Sequence, residues 1–147
     1  MSNVTIIKGD LFTAPKGSII CHAVNCKGVW GAGIAKIFAQ KYPEAYKFYN
    51  RMCVENGNNL LGSCLLIETE THTIGCLFTS GGYGSEADDE EDILYNTSSA
   101  IDDLIFQNYY NRPIYMCKIN SGLFGVEWKL TQAVLEKFDE EFMVYDL

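Results

Sequence analysis

The sequence predicts an α/β domain with a mixed sheet covered by helices on both faces. Short apolar runs rich in β-branched and aromatic residues alternate with segments whose apolar residues recur at helical spacing. The resulting order is β-β-α-β-β-α-β-α-β. At 147 residues the chain has the length of a single domain, spanning 1–147, with room for a sizeable core.

Residues 4–8 and 17–24 read as the first two strands. Ile34, Ile37 and Phe38 then share one helix face. Pro43 ends or restarts that helix, and Ala45, Tyr49 and Met52 line the next one. Residues 64–69 and 73–79 follow as strands. The loop Ser80-Gly81-Gly82-Tyr83-Gly84-Ser85 has the most flexible composition in the chain. The acidic run Asp88-Asp89-Glu90-Glu91-Asp92 could hold a metal, but it also opens a helix, where carboxylates oppose the helix dipole; the second account is preferred. Leu94, Ile101 and Ile105 mark that helix. A strand at 113–118, a helix carrying Thr131, Val134, Leu135 and Phe138, and a strand at 142–145 complete the order.

Composition narrows the function. Apolar residues are 48% and charged residues 20%, which suits a globular chain and not a disordered one. No apolar run reaches the roughly eighteen residues of a membrane span. Met1-Ser2-Asn3-Val4-Thr5 lacks the basic-then-apolar signal pattern, so neither secretion nor a membrane partner is expected. Eleven Lys and Arg face nineteen acids, a net charge of −8, which argues against a nucleic-acid partner. An anionic ligand would have to be held by local dipoles against the overall field. Six cysteines at 21, 26, 53, 64, 76 and 117 form no CxxC pair. They read as reduced, buried small hydrophobes in a cytoplasmic or nuclear protein, not as disulfides or a zinc site.

Two glycine loops are candidates for ligand binding. Asn25-Cys26-Lys27-Gly28-Val29-Trp30-Gly31-Ala32-Gly33 runs from a buried strand into a helix, whose first N–H groups are unpaired. Ile119-Asn120-Ser121-Gly122-Leu123-Phe124-Gly125-Val126 follows a strand and precedes the helix beginning near Glu127. Facing one another across a cleft, the pair would suit a diphosphate; alternatively they are unrelated tight turns. The first loop lacks the dinucleotide fingerprint, its glycine spacing being reversed, and lacks a P-loop ending.

Single residues are ambiguous by themselves. Asp10 can accept from an exocyclic amine or cap a turn. Asn25 suits a ribose hydroxyl or a turn. His22 is a base or a satisfied core residue. His72 lies in a polar turn and is expected to be solvated. Trp30 and Phe124 are core rings or rings against a sugar. Two histidines without E-x-x-H spacing make a protein-held zinc unexpected, and no metal site is assigned.

Together these segments resemble a macrodomain, the ADP-ribose-binding module. The likeness runs through Ile7-Lys8-Gly9-Asp10-Leu11-Phe12, Ile19-Ile20-Cys21-His22-Ala23-Val24-Asn25, residues 28–35, residues 119–128 and Val144-Tyr145-Asp146-Leu147. Within the family the chain is most similar to the short fungal ADP-ribose 1''-phosphate phosphatases. The signs are the Trp-containing glycine loop, Asn59-Leu60-Leu61-Gly62, Cys76-Leu77-Phe78-Thr79-Ser80, and Ile119-Asn120-Ser121-Gly122 running to Trp128.

The resemblance implies a three-layer α/β/α fold around a mixed sheet of about six strands. It implies binding of ADP-ribose and hydrolysis of ADP-ribose 1''-phosphate, a by-product of tRNA splicing. Alternatives are hydrolysis of ADP-ribosyl-protein or O-acetyl-ADP-ribose, and a reader that releases ADP-ribose unchanged. No cofactor is implied. The expected partners are ADP-ribose derivatives and ADP-ribosylated protein, met by a monomer.

The resemblance also implies roles residue by residue. Asp10 accepts from the adenine amino group and Leu11 adds a backbone contact. Asn25 holds the distal ribose. Gly31, Ala32, Gly33 and Ile34 line one side of the diphosphate. Ser121, Gly122, Leu123, Phe124 and Gly125 wrap the other, with Phe124 near the distal ribose. Leu147 lies by the adenosine, and Gly9, Val24, Cys26, Trp30, Ala35, Ile119 and Asn120 complete the lining. His22 stands where many macrodomains carry Asn, near the distal ribose. It is the candidate general acid or base, with Asn25 orienting the ribose. The related glycohydrolases use a lysine and an aspartate where this chain has Ser80 and Phe124, so their mechanism is not available. With no Cys-x5-Arg, D-x-D-x-T or R-H-G motif present, water is the expected nucleophile.

Overall fold

The computed structural model describes residues 2–147. Its strands are β1 (Val4–Lys8), β2 (Ile19–Asn25), β3 (Cys64–Glu68), β4 (Thr73–Ser80), β5 (Ile114–Cys117) and β6 (Phe142–Asp146). Its helices are α1 (Gly33–Lys41), α2 (Pro43–Asn56), α3 (Glu90–Gln107) and α4 (Trp128–Leu135). The six strands form one sheet in the order β1-β6-β5-β2-β4-β3. All neighbours are parallel except β3, which pairs antiparallel with β4. The mixed sheet expected from the sequence is therefore present.

Side-chain alternation on β2 divides the core in two. Ile19 and Cys21 pack with Ala100, Ile101 and Leu104 of α3 and Leu135 of α4. Ile20 and Val24 pack with Phe38 of α1 and with Ala45, Tyr49 and Cys53 of α2. The result is a three-layer sandwich, and β4 is buried at all eight of its residues, as its unbroken apolar run demands.

Helix starts follow the local chemistry. Pro43 begins α2, where its missing N–H costs nothing. Asp89 caps α3 by accepting from the amide of Asp92, and three more acids occupy the first turn. Among the described residues no cluster of side chains could hold a metal.

Several details differ from the sequence expectation. The buried stripe of α3 runs through Ile93, Thr97, Ala100, Ile101 and Leu104, so Leu94 and Ile105 lie at its margin. Ile37 points outward on α1, and Cys53, not Met52, closes the buried face of α2. His72 is buried: its Nε2 lies 2.8 Å from the Ala14 carbonyl and its Nδ1 3.0 Å from Thr71 Oγ1. The start of the glycine-rich 80–85 loop is tied down as well. Ser80, Gly81 and Gly82 are buried, and a β-carbon on Gly82 would collide with the Glu86 carbonyl.

Candidate active site

Five parallel strands end at one edge of the sheet, so the segments after β1, β2, β4, β5 and β6 open there together. That is the edge at which α/β sheets receive ligands.

The segment after β2 is shaped from beneath. Asn25 is buried, and its Oδ1 accepts from the amides of Lys27 at 2.9 Å and Val29 at 3.3 Å. Its Nδ2 donates to the Val29 carbonyl at 2.8 Å. The Tyr49 hydroxyl lies 2.6 Å from the Asn25 carbonyl and 3.1 Å from its Oδ1. Tyr46 and Asn50 each donate to the Gly28 carbonyl at 3.0 Å. Gly28 has φ +79°, and a β-carbon on it would come within 2.8 Å of Asn50 Nδ2, so only glycine fits.

Beyond this brace α1 begins at Gly33, with no side chain capping it. The first amides of the helix, at Gly33, Ile34 and Ala35, have no carbonyl a turn earlier to pair with.

The segment after β5 is a small closed loop. Val126 N donates to the Asn120 carbonyl at 2.9 Å and Gly125 N to that of Gly122 at 3.0 Å. The amides of Gly122, Leu123 and Phe124 have no acceptor among the described residues. The two loops meet across the cleft, since a β-carbon built on Gly33 would lie 4.0 Å from Leu123 Cδ1. Each loop thus carries free amides, and the loops approach closely enough that together they can hold a diphosphate without cations.

Asp10 stands at the end of β1. Its Oδ1 caps a short turn by accepting from Phe12 N at 3.0 Å, and its exposed Oδ2 has no partner among the described residues. The turn cap uses one carboxylate oxygen and leaves the other free to accept. Lys8 Nζ lies 3.3 Å from the Leu147 carbonyl, and Lys118 pairs with Asp146 at 3.2 Å, so the neighbouring lysines are already engaged. Leu147 itself is 88% exposed.

His22 lies below this edge on β2. Its ring stacks on Phe38 with centroids 4.0 Å apart and meets Trp30 edge-on at 4.9 Å. It is fully buried, both ring nitrogens lack partners among the described residues, and burial lowers its pKa to about 3. The imidazole is neutral and sealed from the cleft. Trp30 is buried too, packed on Tyr49 at 4.7 Å with its indole nitrogen unpartnered. Leu11, Val24, Cys26, Ile119 and Asn120 are likewise buried.

The cysteines are all free, and five of the six are buried. Burial pushes Cys26 and Cys117 up to about 12, so neither supplies a thiolate at neutral pH. Ser80 is committed as well, donating to the Gly82 carbonyl at 2.8 Å and accepting from Asp88 N at 2.9 Å. Asp88 Oδ2 in turn accepts from Gly81 N, whose carbonyl receives Cys26 N at 3.2 Å. These links tie the segments after β2 and β4 together.

Sequence reasoning missed the braces Tyr46, Tyr49, Asn50 and Asp88. The signal for the first three was present in α2, where polar-tipped side chains recur at i, i+3 and i+4. A separate groove of about 680 Å³ along α3, lined by Ser63, Ser99, Asp102, Asp103 and Phe106, lies away from the loops, and its carboxylates would repel a phosphate.

Residues 21–135 match the family model described as Macro domain. The chain is 39% identical to the ADP-ribose 1''-phosphate phosphatase of Saccharomyces cerevisiae, with 100% of both chains covered. It is 41% identical to the protein of that name from Lodderomyces elongisporus, with 97% of each covered. Among solved structures, the macrodomain of Mycobacterium tuberculosis DarG aligns with a TM-score of 0.81 at 22% identity, covering 98% of this chain and 97% of that one. Thermosipho africanus DarTG in complex with ADP-ribose aligns at 0.77 and 19% identity, covering 99% of this chain and 42% of that one. The architecture, the two glycine loops and these matches agree, and the chain belongs to the Macro domain family.

Proposed function

We propose that the protein hydrolyses ADP-ribose 1''-phosphate to ADP-ribose and inorganic phosphate. The observation that carries the reading is the opposition of Gly33 and Leu123, which brings two amide-lined loops to one space. The name shared by its full-length relatives points to the same reaction. The cleft is built from loops of one chain, which suits a monomer acting on a small molecule. Free, buried thiols suit a reducing compartment, cytosol or nucleus.

In this reading the diphosphate lies between the amides of 33–35 and those of 122–124, and Asp10 Oδ2 accepts from the adenine amino group. A water oxygen attacks phosphorus, and the bond from phosphorus to the C1'' oxygen breaks. That oxygen keeps the electron pair and gains a proton, while the attacking water loses one. Amides aimed at the phosphoryl oxygens stabilise the charge that develops.

We assign His22 the proton-accepting step; burial lowers its pKa to about 3, so the ring takes a proton only once water reaches it and that desolvation is relieved. Reaching the water requires the 28–33 segment to lift Trp30 from the ring. Gly33, at φ +59° and beyond the braced part of the segment, is the pivot for that movement in this reading. Asn25 acts through the loop it braces, with one Nδ2 hydrogen left for the ribose.

Incubating the purified protein with ADP-ribose 1''-phosphate and following free phosphate tests the proposal. Multiple-turnover release supports it. Binding of ADP-ribose without phosphate release would leave a reader, and release of ADP-ribose from modified protein would favour the hydrolase alternative.

A further inference from the structure

One side chain keys the second glycine loop into the body of the protein. Asn120 is buried at φ +67°, a left-handed conformation that asparagine tolerates better than most residues. Its Oδ1 accepts from the Thr79 hydroxyl at 2.9 Å. Its Nδ2 donates to Thr97 Oγ1 at 3.0 Å and to Thr131 Oγ1 at 3.3 Å. The three threonines are completely buried and come from β4, α3 and α4 respectively. Thr97 also donates to the Ile93 carbonyl at 2.7 Å, and the Asn120 carbonyl closes the loop by accepting from Val126 N.

Packing alone does not require this set. Valine would fill each threonine site without burying a hydroxyl, and a buried polar group is favourable only when its partners are in place. Every oxygen and nitrogen of the Asn120 amide finds one, each from a different element. The arrangement fixes the direction in which the chain enters the loop, and with it the aim of the 122–124 amides.

We propose that Asn120, held by Thr79, Thr97 and Thr131, is a positioning residue for the phosphatase reaction. It does not touch substrate. It holds the second loop so that the 122–124 amides, which share the diphosphate with α1, set where the distal ribose and its 1''-phosphate stand relative to the attacking water. That makes it matter most in the transition state. A loop that rocks about its ends still binds the diphosphate through α1, so kcat falls more than KM rises. This rests on the phosphatase reading above.

The test is steady-state kinetics with ADP-ribose 1''-phosphate, with thermal unfolding as the control for stability. Asn120→Gly keeps the left-handed conformation accessible and removes only the amide. Thr97→Val and Thr131→Val each remove one acceptor, while Thr97→Ser and Thr131→Ser retain it. The expected result is kcat lower by roughly thirtyfold in Asn120→Gly and roughly tenfold in the valine variants, with KM within about threefold and the serine variants near wild type. If Asn120→Gly does not fold, the threonine variants carry the test. Wild-type kcat in the folded variants overturns the proposal, as does a change confined to KM or a serine variant as impaired as its valine counterpart. Gly122→Pro, which deletes an amide of the loop itself, separates the two readings. If it is impaired while the Asn120 and threonine variants are normal, only the positioning role fails. If it too is silent, the second loop is no part of the site and the positioning role fails while the phosphatase reading stands; absence of phosphate release by the wild-type protein is what fails that reading.

Discussion

His22 and Phe38 lie ring on ring, their centroids 4.0 Å apart and their planes 12° from parallel. The stack places the one imidazole of β2 inside an aromatic box completed by Trp30, directly beneath the loop that borders the cleft.

Removing that imidazole should separate chemistry from binding. His22→Ala is expected to lower turnover about a hundredfold or more while ADP-ribose affinity barely changes. His22→Phe, which preserves the stack, should be equally inactive. Phosphate release and calorimetry with ADP-ribose read the two quantities, and wild-type turnover in either variant would remove His22 from the mechanism.

The same burial makes the fold acid-sensitive. The unfolded imidazole titrates at 6.5 and the folded one at about 3, so between these values the unfolded chain binds the extra proton. The contribution of neutral His22 is complete above 6.5 and is lost as pH falls toward 3. Between pH 7 and pH 5 the loss is about 2 kcal/mol. Urea unfolding at the two pH values measures it, and His22→Phe should flatten the difference.

Tyr49 should matter to binding although it lies outside the cleft. Tyr49→Phe deletes the hydroxyl that bonds both oxygens of Asn25. The expected cost is about 1 kcal/mol of stability with a several-fold weaker grip on ADP-ribose. Asn25→Ala, which frees the whole first loop, should weaken it by more than tenfold. Paired calorimetry and denaturation will rank the two, and the reverse order would contradict the brace.

Asp10 should set the choice of base. In Asp10→Asn the amide oxygen can still cap Phe12 N, leaving an N–H donor where Oδ2 accepted. ADP-ribose should bind roughly tenfold more weakly, while the hypoxanthine analogue, with its carbonyl, gains. Unchanged discrimination between the two nucleotides would place the base elsewhere.

What could be read from the letters depended on whether the signal was local. Strand runs, the proline start of α2 and the acidic cap of α3 are set within a few residues, and each was legible. Asp10 and the glycine loops were legible for the same reason, since turn chemistry and strand ends are written in sequence. Burial was not local. His72 sits in a polar turn yet is covered by Ala14 and Tyr42, which lie far from it in the chain. Trp30 and Asn120 could be assigned to the loops but not to a direction, because whether each points out or in is decided by α2 for one and by α3 and α4 for the other. The links from Asp88 through Gly81 to Cys26 join the segments after β4 and β2, and no spacing rule announces them.

The amide-lined cleft has one further consequence. Every residue except proline brings an N–H with it, so mutation along the rim can rewrite the side chains and leave the anion grip intact, provided Gly28 keeps its turn. Evolutionary drift in such a site should surface first as altered preference at the base or the distal sugar, with the capacity to hold a pyrophosphate the last property to disappear.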